Sequence, residues 1–229
     1  TLNLDKSYIM HLAVGTSFSI IIPTSLVSVL THKKNKFVDN RIIKNYGLFV
    51  IIGVLLGTIF AALMQTKSLV LFFSVVVYFL GTYLLLNANK VQKIKKNFEL
   101  LPRIFFGFIS GFVSAPMGIG GAVMNVPVLR YFGYPIKKAI GSAAAIGFII
   151  ALFGAIGFLI SGSFLKANLP LSIGFINIPA FLIFVPITTF MARVGANSVN
   201  KIDKSKVQSL FGVFLYVVGT IFIYRYLSL

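Results

Sequence analysis

The chain has no cysteine and no tryptophan. Among its 229 residues it carries only four acids, Asp5, Asp39, Glu99 and Asp203, and two histidines, His11 and His32. Without cysteine there is no disulfide, no thiolate metal site and no thiol nucleophile. Two histidines do not make a metal site, and no pair of acids or nucleophile–base arrangement offers an active centre. No G-x-x-x-x-G-K-[ST] run occurs, so the chain has no ATPase-type phosphate loop. All four acids lie outside the apolar runs or at their ends, so the embedded carboxylates of many proton and sodium pumps are missing too. These absences argue against an enzyme and call for no cofactor.

What is present is apolar. Hydrophobic residues make up 58% and charged residues 11%, against about 25% charged in soluble domains. The chain reads as one integral membrane unit over residues 1–229. Its net charge of +17 would suggest nucleic acid in a soluble protein. Here the basic residues fall between apolar runs, the pattern of cytoplasmic loops facing anionic lipid, so the partner is membrane lipid and not nucleic acid. The chain opens at Thr1 with no signal-peptide pattern after it, and the expectation is an incomplete N-terminus.

A bilayer takes roughly 20 apolar residues to cross. Runs of that order are Tyr8–Leu30, Tyr46–Met64, Ser68–Leu86, Ile136–Ile160, Ile173–Ala192 and Val207–Leu227. A seventh apolar segment, Ile104–Phe132, is broken at its centre by Pro116 and Gly118–Gly121, leaving about 12 residues on each side, too few for either half to cross alone. If that segment crosses, Lys and Arg divide 12 against 9 between the two faces; if it enters and leaves on one side, they divide 17 against 4. The second division is the one expected of a protein whose basic loops are cytoplasmic. The broken segment is therefore read as re-entrant.

The chain also repeats itself. Ala13-Val14-Gly15-Thr16-Ser17 opens the first run much as Ala139-Ile140-Gly141-Ser142-Ala143 opens the fourth, and Tyr78-Phe79-Leu80-Gly81-Thr82 matches Tyr216-Val217-Val218-Gly219-Thr220. The expected architecture is all-α: a polytopic helical membrane protein with two related three-span halves, 1–88 and 104–229. A basic cytoplasmic linker, 89–103, joins them. An odd number of spans per half, with a re-entrant segment between, gives the halves opposite orientation, the inverted repeat common in secondary transporters. A second broken segment is expected ahead of the first half.

The run Gly118-Ile119-Gly120-Gly121, followed by Asn125-Val126-Pro127-Val128-Leu129 and Ala139-Ile140-Gly141-Ser142, resembles the TauE/SafE sulfite exporter family. The resemblance covers nearly the whole chain. Departures are Ala115 and Ala122 where the family pattern has glycine, and Ala143 in place of a serine. It implies a transporter of sulfite, other sulfur oxyanions or organosulfonates across the plasma membrane. Physically, helix N-termini offer free N–H groups and a positive dipole end, and glycine lets an anion come close. The candidate substrate-binding residues are Ser114, Gly118, Gly120, Gly121, Asn125, Gly141, Ser142, Gly15, Thr16 and Ser17.

The plainer readings are packing ones. Gly53, Gly57, Gly81, Gly154, Gly157 and Gly219 are read as contacts between helices, and Thr16, Ser17 and Ser142 divide evenly between ligand contact and bonding back to their own helices. His11 is read as an interfacial histidine reaching the headgroups. A passive anion channel is the alternative function, with a membrane protein of non-transport function behind it. The channel requires a continuous polar lining that the apolar runs do not supply.

Overall fold

In the computed structural model, residues 6–87, 99–165, 167, 169–198 and 204–228 are described. After a short 3-10 turn (Lys6–Tyr8), the chain forms α1 (Ile9–Lys34), α2 (Asn40–Leu63), α3 (Thr66–Asn87), α4 (Leu100–Met117), α5 (Ala122–Tyr131) and α6 (Ile136–Phe164). A two-stranded hairpin, β1 (Ser172–Ile173) and β2 (Ile176–Asn177), precedes α7 (Ile178–Ser198) and α8 (Lys204–Ser228). Seven of these helices are long and apolar enough to cross a membrane. The six unbroken runs each become one helix, as expected of a polytopic helical membrane protein. Most of the basic linker, residues 89–98, lies outside the described residues.

Two boundaries move for local reasons. The fifth run, Ile173–Ala192, begins as a hairpin, and its helix waits until Asn177, whose Oδ1 accepts from the Ala180 N–H at 3.0 Å and so serves as the N-cap. The broken segment divides at Gly118–Gly121 rather than from Pro116, and α4 starts four residues earlier than the apolar run. It has 18 residues, enough to count as a span, and α5 has only 10, about 15 Å at 1.5 Å per residue.

In lipid, tight helix contact rests on small residues that let backbones meet. The α2–α4 contact is built this way. A side chain on Gly57 would come within 2.6 Å of the Phe112 carbonyl and 2.8 Å of the Ala115 Cβ, and Gly53 and Gly111 lie flush against the facing backbone. Contacts rise together along both helices, from Tyr46–Phe106 to Gly57–Ala115, so α2 and α4 run parallel. Gly47 meets Ile149 and Gly157 meets Thr58, which makes α6 parallel to both. α1 runs against α6: Phe37, just past the end of α1, packs at Gly141 near the start of α6, while Phe175, past the end of α6, packs at Gly15 near the start of α1.

α5 folds back along α4. Gly121 faces Ser114, Asn125 bonds Ser110, and Phe132 stacks edge-on against Phe106 at 5.8 Å. α4 and α6 thus begin at the same end of the bundle as α2, with the α4–α5 hairpin between them leaving and returning to that end. The core holds Phe18, Val50, Val54, Ile146, Ile150 and Phe158, all fully buried. α7 and α8 turn large apolar side chains outward, among them Phe184, Phe190, Phe214 and Val217.

α3 and α8 pair antiparallel through contacts that exchange under a two-fold rotation. Tyr78 Oη lies 2.7 Å from Thr220 Oγ1, and Tyr216 Oη lies 2.5 Å from Thr82 Oγ1. The absent side chain of Gly81 leaves room for the Tyr216 ring, and that of Gly219 for the Tyr78 ring. Where residue i meets j and the equivalent of j meets the equivalent of i, the contact is self-complementary.

Candidate functional site

The break between α4 and α5 is made by two left-handed residues. Gly118 (φ 65°, ψ 30°) ends α4 and Gly121 (φ 67°, ψ 0°) is the N-cap of α5. A residue bearing a Cβ pays roughly 1–2 kcal/mol to sit there, so glycine at both positions lets the chain reverse in four residues. The turn is wedged between α1 and α6. Ser17 Oγ donates to the Gly118 carbonyl at 2.7 Å, Val14 packs on Gly118, and a side chain on Gly147 would come within 2.5 Å of the Gly120 carbonyl. Ile21 and Gly147, which flank Gly120, lie near the middle of their helices, so the turn sits at mid-depth.

Beneath the turn lies a buried polar cluster. Asn125 is fully buried on α5. Its Oδ1 accepts from Tyr46 Oη at 2.8 Å and from Ser110 Oγ at 2.9 Å, and its Nδ2 donates to the Gly121 carbonyl at 2.8 Å. The Tyr46 hydroxyl also contacts the Phe106 carbonyl at 3.0 Å. One side chain thus ties α2, α4 and α5 together and braces the carbonyl of the N-cap. Ser114 is the exception in this cluster. It is completely buried, and its Oγ has no hydrogen-bond partner among the described residues. A Cβ on Gly121 would stand 3.3 Å from that oxygen, so the hydroxyl faces the start of α5.

At that start, Met124 and Asn125 give their N–H groups to the Gly121 carbonyl. Ala122 and Val123 hold the first-turn N–H groups, which have no partner within a helix. Orphan N–H groups at a helix N-terminus, a hydroxyl donor beside them and glycine in place of side chains make a setting for a small anion. Ile119, Gly120 and Ala122 are the members of the turn that are not buried.

The structure brings six of the candidate residues together here: Ser114, Gly118, Gly120, Gly121, Asn125 and Ser17. The other four lie elsewhere. Gly15 packs against the Phe175 carbonyl and Thr16 Oγ1 accepts from the Asn177 N–H at 2.9 Å, whereas Gly141 packs against the Phe37 carbonyl and Ser142 Oγ accepts from the Asp39 N–H at 3.0 Å. None of Thr16, Ser17 and Ser142 bonds back to its own helix; each hydroxyl holds a backbone group of another segment. The six glycines read as packing residues do face neighbouring helices. His11 is not interfacial: it is 1% exposed, its Nε2 lies 3.0 Å from the Ala61 carbonyl, and the Phe175 ring covers it at 5.2 Å.

Three contributors escape the sequence reading: Tyr46, Ser110 and Gly147. Ser110-Gly111 repeats the small-residue pattern of Ser114-Ala115 one turn earlier, a signal that was available. Tyr46 marks only the edge of an apolar run, and Gly147 is one small residue among many in α6. Neither carries a local signature.

A family model for the sulfite exporter TauE/SafE matches residues 2–222. A "Probable membrane transporter protein" of Haemophilus influenzae is 29% identical over 95% of this chain and 82% of its own length. Proteins of like name from Methanocaldococcus jannaschii and Bacillus subtilis are 24% and 26% identical, over 90% and 94% of this chain and 77% and 81% of theirs. No solved structure matches. With seven membrane-capable helices and a family match along almost its entire length, the chain belongs to the sulfite exporter TauE/SafE family and is a multi-pass membrane transporter of that type.

Proposed function

We propose that the chain is a secondary transporter of small anions across the plasma membrane, with sulfite, other sulfur oxyanions or organosulfonates as its substrate class. The site is the Gly118–Gly121 turn. The observation that carries this reading is Ser114: a fully buried hydroxyl without a partner among the described residues, facing the N-terminus of α5 at mid-depth. A buried hydroxyl left unpaired is disfavoured by about 1–3 kcal/mol, and an oxyanion accepting from it and from the Ala122 and Val123 N–H groups removes that penalty. No lysine or arginine lies in the turn, so an anion held by dipoles and hydroxyls can also leave, as transport requires.

The family match supports the substrate class. The α4–α5 hairpin supports a re-entrant element, because its two ends lie at the end of the bundle where α2 and α6 begin, the end read as cytoplasmic with 17 of the 21 Lys and Arg. The exchangeable contacts of α3 with α8 support two halves of opposite orientation, 1–88 and 104–229, moving about a common axis.

Uptake of radiolabelled sulfite, thiosulfate and sulfoacetate, with a carboxylate control, into vesicles bearing the full-length protein tests the reading. Saturable flux of a sulfur oxyanion or sulfonate is expected. Absence of saturable flux for every anion would overturn it.

A further inference from the structure

Two short loops, far apart in sequence, take equivalent places at opposite ends of the antiparallel α1–α6 pair. After α1, Lys36 adopts φ 58° and Phe37-Val38-Asp39 leads into α2; after α6, Gly174 adopts φ 55° and Phe175-Ile176-Asn177 leads into α7. Phe37 gives its N–H to the His32 carbonyl at 2.9 Å, and Phe175 gives its N–H to the Phe158 carbonyl at 3.4 Å. In each loop the phenylalanine ring lies 6.3 Å from the ring of that same acceptor residue. Each phenylalanine carbonyl rests on a motif glycine, Gly141 or Gly15. Two residues on, the backbone N–H donates to the next motif residue, Asp39 to Ser142 Oγ at 3.0 Å and Asn177 to Thr16 Oγ1 at 2.9 Å. Both side chains then cap the following helix, Asp39 through the Arg41 N–H and Asn177 through the Ala180 N–H.

The two ends are alike in plan and unequal in tightness. Phe175 is wholly buried, with Tyr8 and His11 rings at 5.4 and 5.2 Å. Phe37 is only half-buried. Lys137 Nζ sits 5.5 Å from the centre of its ring, and Asp39 is paired at 3.9 Å with Lys138, an ion pair whose side chains are 21% and 49% exposed. Opening the Phe175 end exposes a ring now shielded from everything around the bundle. Opening the Phe37 end breaks one hydroxyl contact, the contacts of a half-buried ring with Lys137 and His32, and an ion pair that solvent screens.

We propose that these loops are the two gates of the transport path. Phe37-Val38-Asp39 closes the basic end and Phe175-Ile176-Asn177 the opposite end. Ser142 and Thr16 are the positioning residues that hold them shut, and the Phe37 gate is the one that opens from the conformation described. An anion arriving at the basic end competes with Asp39 for Lys138 and so loosens the gate it must pass. The proposal rests on the transport reading above, and its test is separable from the flux assay.

Because these 229 residues hold no cysteine, Ala122→Cys at the start of α5 supplies their single thiol, to be labelled in the full-length protein from either side of sealed vesicles with a membrane-impermeant maleimide, labelling of the parent protein being subtracted. Ser142→Ala is expected to raise the labelling rate about fivefold from the side of the Phe37 loop alone, the population change for one lost net hydrogen bond. Thr16→Val is expected to do the same from the other side, and Ser142→Thr and Thr16→Ser, which keep the hydroxyl, to label at the parent rate. Unchanged labelling in both hydroxyl-free variants, or a change from the same side in both, would overturn the gates. If either variant fails to reach the membrane, Phe37→Leu at one end and Tyr8→Leu at the other decide, each expected to raise labelling from its own side and counting against the proposal if it does not. Sided labelling without anion flux would remove the transport reading and leave the gates standing.

Discussion

Ser114 and Asn125 lie within one small polar cluster yet should behave oppositely when altered. Ser114 gives up no hydrogen bond on truncation, so Ser114→Ala is expected to leave the melting temperature of the purified protein unchanged or slightly higher. The same variant should raise the half-saturating anion concentration by roughly 10-fold or more, the worth of a hydrogen bond to a charged group. Unchanged flux kinetics would remove the anion site from the turn. Asn125 satisfies two hydroxyl donors and one carbonyl at once. Asn125→Leu leaves the buried Ser110 hydroxyl without its acceptor and takes one contact each from the Tyr46 hydroxyl and the Gly121 carbonyl, which keep the Phe106 carbonyl and the Met124 N–H; a loss of about 1–3 kcal/mol is expected, read as a lower unfolding temperature in detergent. The sequence singles out both residues because they flank a glycine- and proline-rich break in an apolar segment. It did not show Tyr46, since a tyrosine 79 positions away along the chain has nothing local to announce its partner.

At the scale of elements, the break between α4 and α5 is legible in the sequence. Glycine and proline in an apolar segment release backbone groups that lipid will not solvate, and the charge division then favours a chain that returns to the side it came from. The extra length of α4 was not readable, because Leu100-Leu101-Pro102-Arg103 looks like linker. Proline is tolerated in the first helical turn, where its missing N–H has no partner to lose. If the hairpin re-enters, a cysteine placed at Lys137 is accessible to impermeant reagent from the cytoplasm. Labelling of intact cells from outside would instead require the hairpin to cross. The small-residue seam between α2 and α4 makes a further expectation. Gly57→Leu places a branched side chain where even a Cβ meets Phe112 and Ala115 within 2.8 Å. Overpacking of this kind costs about 1–3 kcal/mol or more, so the variant should lower membrane yield, whereas Gly120→Leu, with 3.3 Å to the nearest atom, should accumulate and fail in transport. Equal yield and equal flux for the two would erase the distinction between packing and site glycines.

Across the whole molecule, matching contacts recur that are only half visible in the sequence. Ala-x-Gly-[Thr/Ser] and Tyr-x-x-Gly-Thr stand out as matching strings. Phe37-Val38-Asp39 and Phe175-Ile176-Asn177 do not, being three residues long with one identity, and Lys36 hides the left-handed position that Gly174 makes plain. Only the contacts reveal them as the same loop twice. That is also why Gly15, Thr16, Gly141 and Ser142 looked like ligand residues. The chemistry that suits a helix hydroxyl to an anion suits it equally to a backbone N–H, and sequence alone does not say which arrives.

When two related halves trade conformations, a distance that is already equal in both halves has no reason to change, and one that is unequal must. The paired Tyr–Thr contacts of α3 and α8, at 2.7 and 2.5 Å, belong to the first kind, and the loops around Phe37 and Phe175 to the second. In the proposed carrier the α3–α8 seam is therefore the fulcrum. Thr82→Cys and Tyr216→Cys joined by a short bifunctional thiol reagent are expected to leave a working carrier, a mechanical silence that flux before and after crosslinking can measure.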